Sequence, residues 1–405
     1  MSSASAPTPQ ARGPASEGKP GLVASGSASR RRWRPPSLSG KTASRHAFIW
    51  PALLVVLFLS VFPLVSSAYL SLSKLRFTAE GIQITFLGTN HYESLLFGSQ
   101  ATHYLGVLKS PTPLGWVVFG IVVALVAWGY VRAIRGGIGV LGLIGRAILG
   151  LFIIGLAWLM VQAIFSEGGR PGTMLVTVIY VGVGVTIQYC LGLGLAMLAT
   201  QRLPGRRFFR VVFLLPMMIT PVGVAYLFRM LADTSKGPLV PVFAAVGLGD
   251  WTWGNDPWLA RIMVIIADIW QWTPFFFIVL LAALESQDME VVEAATVDGA
   301  NRRQVFRSIT FWAILPVSVT VILIRTIEAF KIIDLPNVFT RGGPGTATES
   351  LTLQAFFDWR ALNLGRSAAI GYTLLVIVTI FAVSYVRLAR RQPEPQKQSG
   401  EEARA

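Results

Sequence analysis

The sequence is poor in the residues that most catalytic and metal sites require. Its 405 residues include one cysteine and three histidines, and only 14% of them are charged. A single cysteine, Cys190, excludes a disulfide framework and a cysteine-based metal site. His46, His91 and His103 lack metal-ligand spacing, and no Gly-x-Ser-x-Gly nucleophile motif occurs. We therefore predict that the chain is not an enzyme and binds no metal or cofactor of its own.

A phosphate-binding loop is also excluded. The Gly-Lys-Thr at residues 40–42 would need a glycine five positions earlier, where Pro35 stands. The surrounding residues 1–45 are rich in Ser, Ala, Pro and Gly, a composition that predicts a disordered basic tail.

Long apolar runs make up most of the remaining chain. The chain is 53% apolar and its mean hydropathy is +0.59. A membrane-spanning helix needs about 20 mostly apolar residues. Runs of that length occur at approximately 47–72, 114–131, 140–165, 173–199, 208–231, 258–284, 313–333 and 366–388. The sequence therefore predicts an all-α polytopic membrane protein with about eight transmembrane helices.

The distribution of basic residues predicts the topology. Lys and Arg number 35 and the net charge is +15. Eight crossings place 23 of these 35 on one side of the membrane, in the two tails and three short loops. Such enrichment marks the cytoplasmic side, so we predict that both termini are cytoplasmic. We expect the positive charge to contact anionic lipid head groups and not nucleic acid.

Several polar side chains fall inside the predicted spans, where charge is costly and usually functional. Asp268 and Gln271 lie in IADIWQWTPFFF, and Arg325 and Glu328 lie in VILIRTIEAF. The three-residue spacing of Arg325 and Glu328 places them on one helix face, where they can pair. Two interpretations follow: a structural ion pair that locks two helices, or a polar passage in which Trp270, Trp272 and Phe275 stack on a polyol.

One polar stretch between two apolar runs, EVVEAATVDGANRRQVFRSITFWAILP, predicts two short helices joined by a turn. Ser286 is the candidate cap of the first helix, and the acidic residues after it favour its first turn. Gly299 is placed to end that helix. The acidic and small residues of the first helix suit a protein groove better than a membrane surface.

This stretch resembles the cytoplasmic EAA loop of permease subunits in type I ABC importers, in the branch that imports sugars and glycerol phosphates. The matching coupling residues are Glu293, Ala294, Ala295, Asp298, Gly299 and Ala300. Further matches to the family pattern are Phe306, Ile309, Thr310 and Pro316. The family usually has Pro where Trp312 stands.

Other segments resemble the same branch. FTRGGPGTATESL is similar to its Thr-x-Gly-Gly-Pro signature, FRVVFLLPMMITPV to its third core span and FLGTNHYESLL to its first outer loop. The resemblance implies a six-helix permease core with an inserted two-helix hairpin. The implied domains are a basic tail (1–45), a first core helix with an external loop (46–112), the hairpin (113–165), the permease core (172–388) with the EAA loop at 285–316, and a second tail (389–405).

The resemblance also implies a bacterial cytoplasmic (inner) membrane location and a set of partners. These are a second permease subunit, two ATPase subunits that bind ATP, and an extracytoplasmic solute-binding protein. The residues implied to face the substrate pathway are Asp268, Gln271, Trp272, Phe275, Arg325 and Glu328. Two alternatives stay open: an importer of the same type for a non-sugar solute, and an ion-coupled secondary transporter with a charge relay.

Overall fold

The fold is taken from a computed structural model that describes residues 49–79, 81–135, 140–201, 204–233, 236–245, 247 and 253–389. The predicted tail 1–45 lies outside these residues, as does the second tail after Ala389. The chain divides into two compact units, Met1–Val61 and Phe62–Ala405. All the sites discussed below lie within the second unit.

The elements are mainly helical. In chain order they are α1 (Phe62–Ser71), β1 (Ser73–Thr78), β2 (Gly81–Phe86), α2 (Asn90–Leu96), α3 (Ala101–Tyr104), β3 (Gly106–Val107), α4 (Pro113–Arg135), α5 (Val140–Ile164), β4 (Arg170–Pro171), α6 (Thr173–Ala199), α7 (Arg206–Met218), α8 (Pro221–Leu231), α9 (Val240–Ala245), α10 (Pro257–Glu285), α11 (Met289–Val297), α12 (Arg302–Ala329), α13 (Leu351–Arg360) and α14 (Leu364–Ala389). Short π-helical turns occur at Leu57–Val61, Phe306–Thr310 and Pro336–Thr340.

Seven helices within the described residues are long and apolar enough to cross a membrane. They are Ile49–Ser71, Pro113–Arg135, Gly142–Ile164, Thr173–Ala199, Pro257–Glu285, Arg302–Ala329 and Leu364–Val386. Counting the bent pair α7–α8 as one more span gives eight. The prediction of an all-α polytopic membrane protein is confirmed.

The predicted fifth span, 208–231, is not one straight helix. It is bent by 96° between α7 and α8. Thr220 is extended, and its side chain accepts a hydrogen bond from the Gly223 amide at the start of α8. The cause is Pro221 at the first position of α8, because proline disfavours a helical conformation in the residue before it.

The core of the second unit is built on α6 and α10. In an apolar stretch of 18 residues, half of α6 and 61% of α10 are buried. Gly192 of α6 lies so close to α10 that an added Cβ would stand 2.4 Å from the Phe276 Cβ. Ala196, one helical turn later, is fully buried. These small residues allow the two helices to approach closely.

Two small antiparallel sheets lie outside the spans. β1 pairs with β2 from Ser73↔Phe86 to Thr78↔Gly81. β3 pairs with β4 through Gly106↔Pro171, which ties the segment before α4 to the start of α6. The α4–α5 hairpin therefore lies, in sequence, between two strands that pair with each other.

Candidate functional site

The polar stretch between α10 and α12 forms the helix α11, which is capped at both ends. The Asp288 side chain accepts a hydrogen bond from the Glu290 amide at 3.0 Å. Ser286 instead ends α10, so the predicted cap is wrong by two residues. Ser and Asp are both good N-caps, and sequence alone does not separate them. At the other end Gly299 has φ +86°, a conformation that favours glycine.

The surface of α11 is open along its length. No residue of α11 is buried, and the side chain of Val297 is 87% exposed. Of the predicted coupling residues, Glu293, Ala294, Asp298 and Gly299 are exposed, while Ala295 and Ala300 are half-buried. The structure therefore presents these residues together on one exposed helix and the turn that follows it.

The second predicted short helix is instead the first part of α12. It begins with a capping box in which the Asn301 side chain accepts from the Gln304 amide and the Gln304 side chain accepts from the Asn301 amide. From Arg302 the helix runs to Ala329, with a π-helical turn at Phe306–Thr310. The expectation of a separate short helix is wrong, because no glycine or proline interrupts the chain before Pro316. Trp312 lies within this helix and is 59% exposed.

A buried polar cluster joins three spans. The guanidinium of Arg325 (α12) donates to Oδ2 of Asp268 (α10) at 2.5 Å and to Oε1 of Gln188 (α6) at 3.0 Å. Gln188 donates in turn to Asp268 Oδ2 at 2.8 Å. Their exposed fractions are 2%, 4% and 0%, respectively. Each charge is thus matched inside the helix bundle, as a buried charge requires.

The partner predicted for Arg325 is wrong. Glu328 lies one turn further along α12 and pairs with Lys331 at 2.7 Å, where both side chains are about half exposed. Arg325 pairs across the bundle because its face of α12 is turned inward. Sequence reasoning missed Gln188, although an amide inside an apolar run was a signal of a polar contact in the membrane.

The pathway residues predicted on α10 form one stripe. Asp268, Gln271, Trp272 and Phe275 follow the i, i+3, i+4, i+7 spacing of a helix face. The Arg325 guanidinium lies 4.6 Å from the centroid of the Trp272 ring, a cation–π geometry. The Trp272 and Phe275 rings meet edge-to-face at 6.4 Å, and both are half-buried. The described residues contain no cluster of three or more side chains suited to a metal ion.

Gln271 marks the junction of this stripe with the α7–α8 bend. Its amide nitrogen donates to the Ile219 carbonyl at 3.2 Å, and the residue is 3% exposed. Among the described residues its Oε1 accepts no hydrogen bond. A buried acceptor without a donor is costly, so this oxygen is suited to a polar ligand or water.

The Gly-Gly-Pro stretch forms an ordered loop between α12 and α13. The Thr340 and Thr348 hydroxyls are 2.6 Å apart, and Ser350 caps α13 by accepting from the Leu353 amide. Glu349 Oε2 lies 2.6 Å from Nε2 of His103 on α3. The loop thereby connects the end of α12 to the segment that precedes α4.

Comparison with known proteins identifies the family. Residues 188–392 match the family model described as "Binding-protein-dependent transport system inner membrane component". The chain is 33% identical over 215 residues to the trehalose/maltose transport system permease protein MalF of Thermococcus litoralis, covering 53% of this chain and 73% of that protein. It is 28% identical over 237 residues to the sn-glycerol-3-phosphate transport system permease protein UgpA of Agrobacterium fabrum, covering 57% and 79%.

A solved structure shares the fold. It is the crystal structure of a bacterial ABC transporter involved in the import of the acidic polysaccharide alginate, with a TM-score of 0.56 at 16% identity, covering 88% of this chain and 98% of the matched chain. The family match spans half of the sequence and includes Gln188, Asp268, Arg325 and all of α11. The chain therefore belongs to the family of binding-protein-dependent transport system inner membrane components, and it is a membrane permease component and not an enzyme.

Proposed function

We propose that the chain is a pore-forming permease subunit of a binding-protein-dependent ABC importer for a carbohydrate or sugar-like solute in the bacterial cytoplasmic membrane. Support for this solute class comes from the sugar and glycerol-phosphate transport named for its relatives. We place both termini in the cytoplasm, which puts α11 on the same side. An importer of the same type for a non-sugar solute is the alternative that uptake measurements exclude or establish.

The single observation that carries the proposal is the exposed, doubly capped helix α11. Its apolar Val297 and Met289 are 87% and 59% exposed, an arrangement that suits insertion into a groove on another protein. We assign that groove to an ATPase subunit, one for each of two permease subunits in the assembled complex. ATP is bound by these partners, and an extracytoplasmic binding protein delivers the solute.

In this proposal, a movement of α11 reaches the membrane through its connections to α10 and α12. It is joined directly to α10 and, through the Gly299 turn, to α12. Asp268 lies 17 residues before the end of α10, which is roughly 26 Å at 1.5 Å per residue. The Asp268–Arg325 pair clamps α10 to α12 at that distance. A pull on α11 is therefore transmitted to two helices that are clamped together.

The substrate pathway in this proposal follows the α10 stripe. Trp272 and Phe275 supply aromatic surface for a sugar face, and Gln271 supplies an acceptor for a hydroxyl. Asp268 and Arg325 border the pathway and hold Trp272 in place. Glu328, exposed on α12, is the sixth residue that we place along the pathway.

A site-specific crosslinking experiment tests the assignment of α11. A photo-crosslinking amino acid at Val297 is expected to capture the ATPase subunit in the assembled transporter. Phe97, between α2 and α3, is 86% exposed and provides a control of equal accessibility on the opposite side. Capture of the ATPase from Phe97, or none from Val297, would contradict the proposal. Uptake of labelled disaccharide into proteoliposomes, with an amino acid as the comparison, tests the solute class.

A further inference from the structure

The α4–α5 hairpin contains a cavity with two distinct parts. Its volume is about 840 Å³, within the roughly 300–1,000 Å³ typical of ligand sites. The lining comes from Val123 to Ala133 of α4 and from Arg146 to Ile154 of α5. Apart from Tyr130, Arg132 and Arg146, every lining residue is apolar.

The two arginines lie at the same end of the hairpin. Arg132 is three residues before the end of α4, and Arg146 is near the start of α5. From Arg132 the cavity extends nine residues back to Val123, about 14 Å at 1.5 Å per residue. One leaflet of a bilayer has a hydrocarbon depth of about 15 Å. The cavity therefore matches one leaflet in length, with positive charge at one end.

The hairpin is open to whatever surrounds it. In an apolar stretch of 18 residues, only 6% of α4 and 17% of α5 are buried, against 61% of α10. Leu125 and Leu151, which line the cavity, are 61% and 71% exposed. A suitable occupant is apolar along most of its length and anionic where it meets the arginines. The Arg132 guanidinium lies 5.5 Å from the Trp128 ring centroid, which positions it at this end.

We propose that this cavity binds an anionic glycerophospholipid, with an acyl chain along the apolar part and the phosphate between Arg132 and Arg146. Guanidinium groups match phosphate oxygens in geometry and charge, and basic pockets between membrane helices bind anionic head groups. A helix from another protein would need a buried acid of its own at this level. The proposal depends on neither the solute nor the coupling mechanism proposed above.

The chain offers matched variants for both parts of the site. A Cβ built on Gly129, which lines the cavity, meets nothing within 4 Å, so Gly129→Leu fills the acyl region without a backbone clash. Gly120 on the same helix has equal space but does not line the cavity, so Gly120→Leu is its control. For the charged end, Arg135→Gln is the control for Arg132→Gln, since Arg135 lies outside the lining.

The test is native mass spectrometry of the purified full chain offered equal amounts of phosphatidylglycerol and phosphatidylcholine. The wild-type chain is expected to retain phosphatidylglycerol preferentially. Each arginine near an anionic head group multiplies binding roughly fivefold, so Arg132→Gln loses about fivefold and the double variant with Arg146→Gln about 25-fold. Gly129→Leu is expected to weaken retention of both lipids, whereas Gly120→Leu and Arg135→Gln retain the wild-type pattern.

Three results would overturn the proposal: no preference in the wild-type chain, an equal loss in Arg132→Gln and Arg135→Gln, or displacement of the lipid by inorganic phosphate alone. Thermal unfolding of each variant is measured alongside. If the charge variants unfold at the wild-type temperature, a lost preference reports the site itself. Gly129→Leu is a second, independent test of the site. Leucine is a good helix former, so this substitution should not disrupt α4.

Discussion

The helical core and α11 place their polar and apolar side chains in opposite ways. In the core, charged Arg325 and Asp268 are 2% and 4% exposed and are matched to each other. In α11, apolar Val297 is 87% exposed and no residue is buried. Buried charge and exposed apolar surface are both costly without a partner. The core has its partners within the chain, whereas we propose that α11 receives one from outside.

Breaking the buried pair gives the largest expected loss of stability. Arg325→Leu leaves the Asp268 carboxylate buried without its cation, which costs about 3–5 kcal/mol of unfolding free energy. Denaturant unfolding of the purified chain measures this loss. Lys331→Leu, two residues past the end of α12, is the control, because its ion pair with Glu328 is exposed and contributes about 0–1 kcal/mol. Equal losses in the two variants would show that the Arg325 pair is not the core clamp described above.

A double variant separates the charge from the hydrogen bonds. Asp268→Asn combined with Arg325→Gln removes both charges and retains groups able to bond Gln188. Because replacing a whole buried pair is often neutral, we expect this variant to recover most of the stability lost in Arg325→Leu. A double variant as unstable as Arg325→Leu would contradict the pairing.

The close contact of α6 and α10 gives the next largest effect. An added Cβ at Gly192 would stand 2.4 Å from the Phe276 Cβ, so Gly192→Ala is expected to cost about 1–3 kcal/mol through overpacking. At Gly194, on the same helix, nothing lies within 4 Å, so Gly194→Ala is expected to stabilise by up to about 1 kcal/mol. Thermal unfolding of the two variants should therefore shift in opposite directions, and shifts of the same sign would contradict this packing.

The smallest effect on stability is expected in α11. Val297→Asp changes an exposed side chain, so the unfolding free energy should stay within about 0.5 kcal/mol of wild type. Binding-protein-stimulated ATP hydrolysis by the assembled complex should nevertheless fall, because the charge would enter an apolar groove. Phe97→Asp, at equal exposure, should leave hydrolysis unchanged. An unstable Val297→Asp chain would mean that α11 packs against its own protein.

Local patterns predicted much of this structure. Apolar run lengths located the spans, and Gly299 marked the end of α11. The 96° bend at Pro221 was not predicted, since proline in a membrane helix is often tolerated without such a bend.

The partner of Arg325 could not be predicted from local spacing. Glu328 is three residues away in sequence, whereas Asp268 and Gln188 are 57 and 137 residues away. Which pair forms depends on how α6, α10 and α12 are rotated in the bundle. That rotation is set by the packing of all three helices and not by any one of them.

The central claim is that α11 couples the membrane core to an ATPase. Its most direct test is to measure binding-protein-stimulated ATP hydrolysis by the assembled complex carrying Gly299→Pro. Proline fixes φ near −65°, which is incompatible with the φ of +86° at this turn. Gly88→Ala, at another open position with positive φ, controls for backbone strain elsewhere. We predict normal membrane insertion with stimulation abolished. Stimulated hydrolysis at the wild-type level would contradict the account.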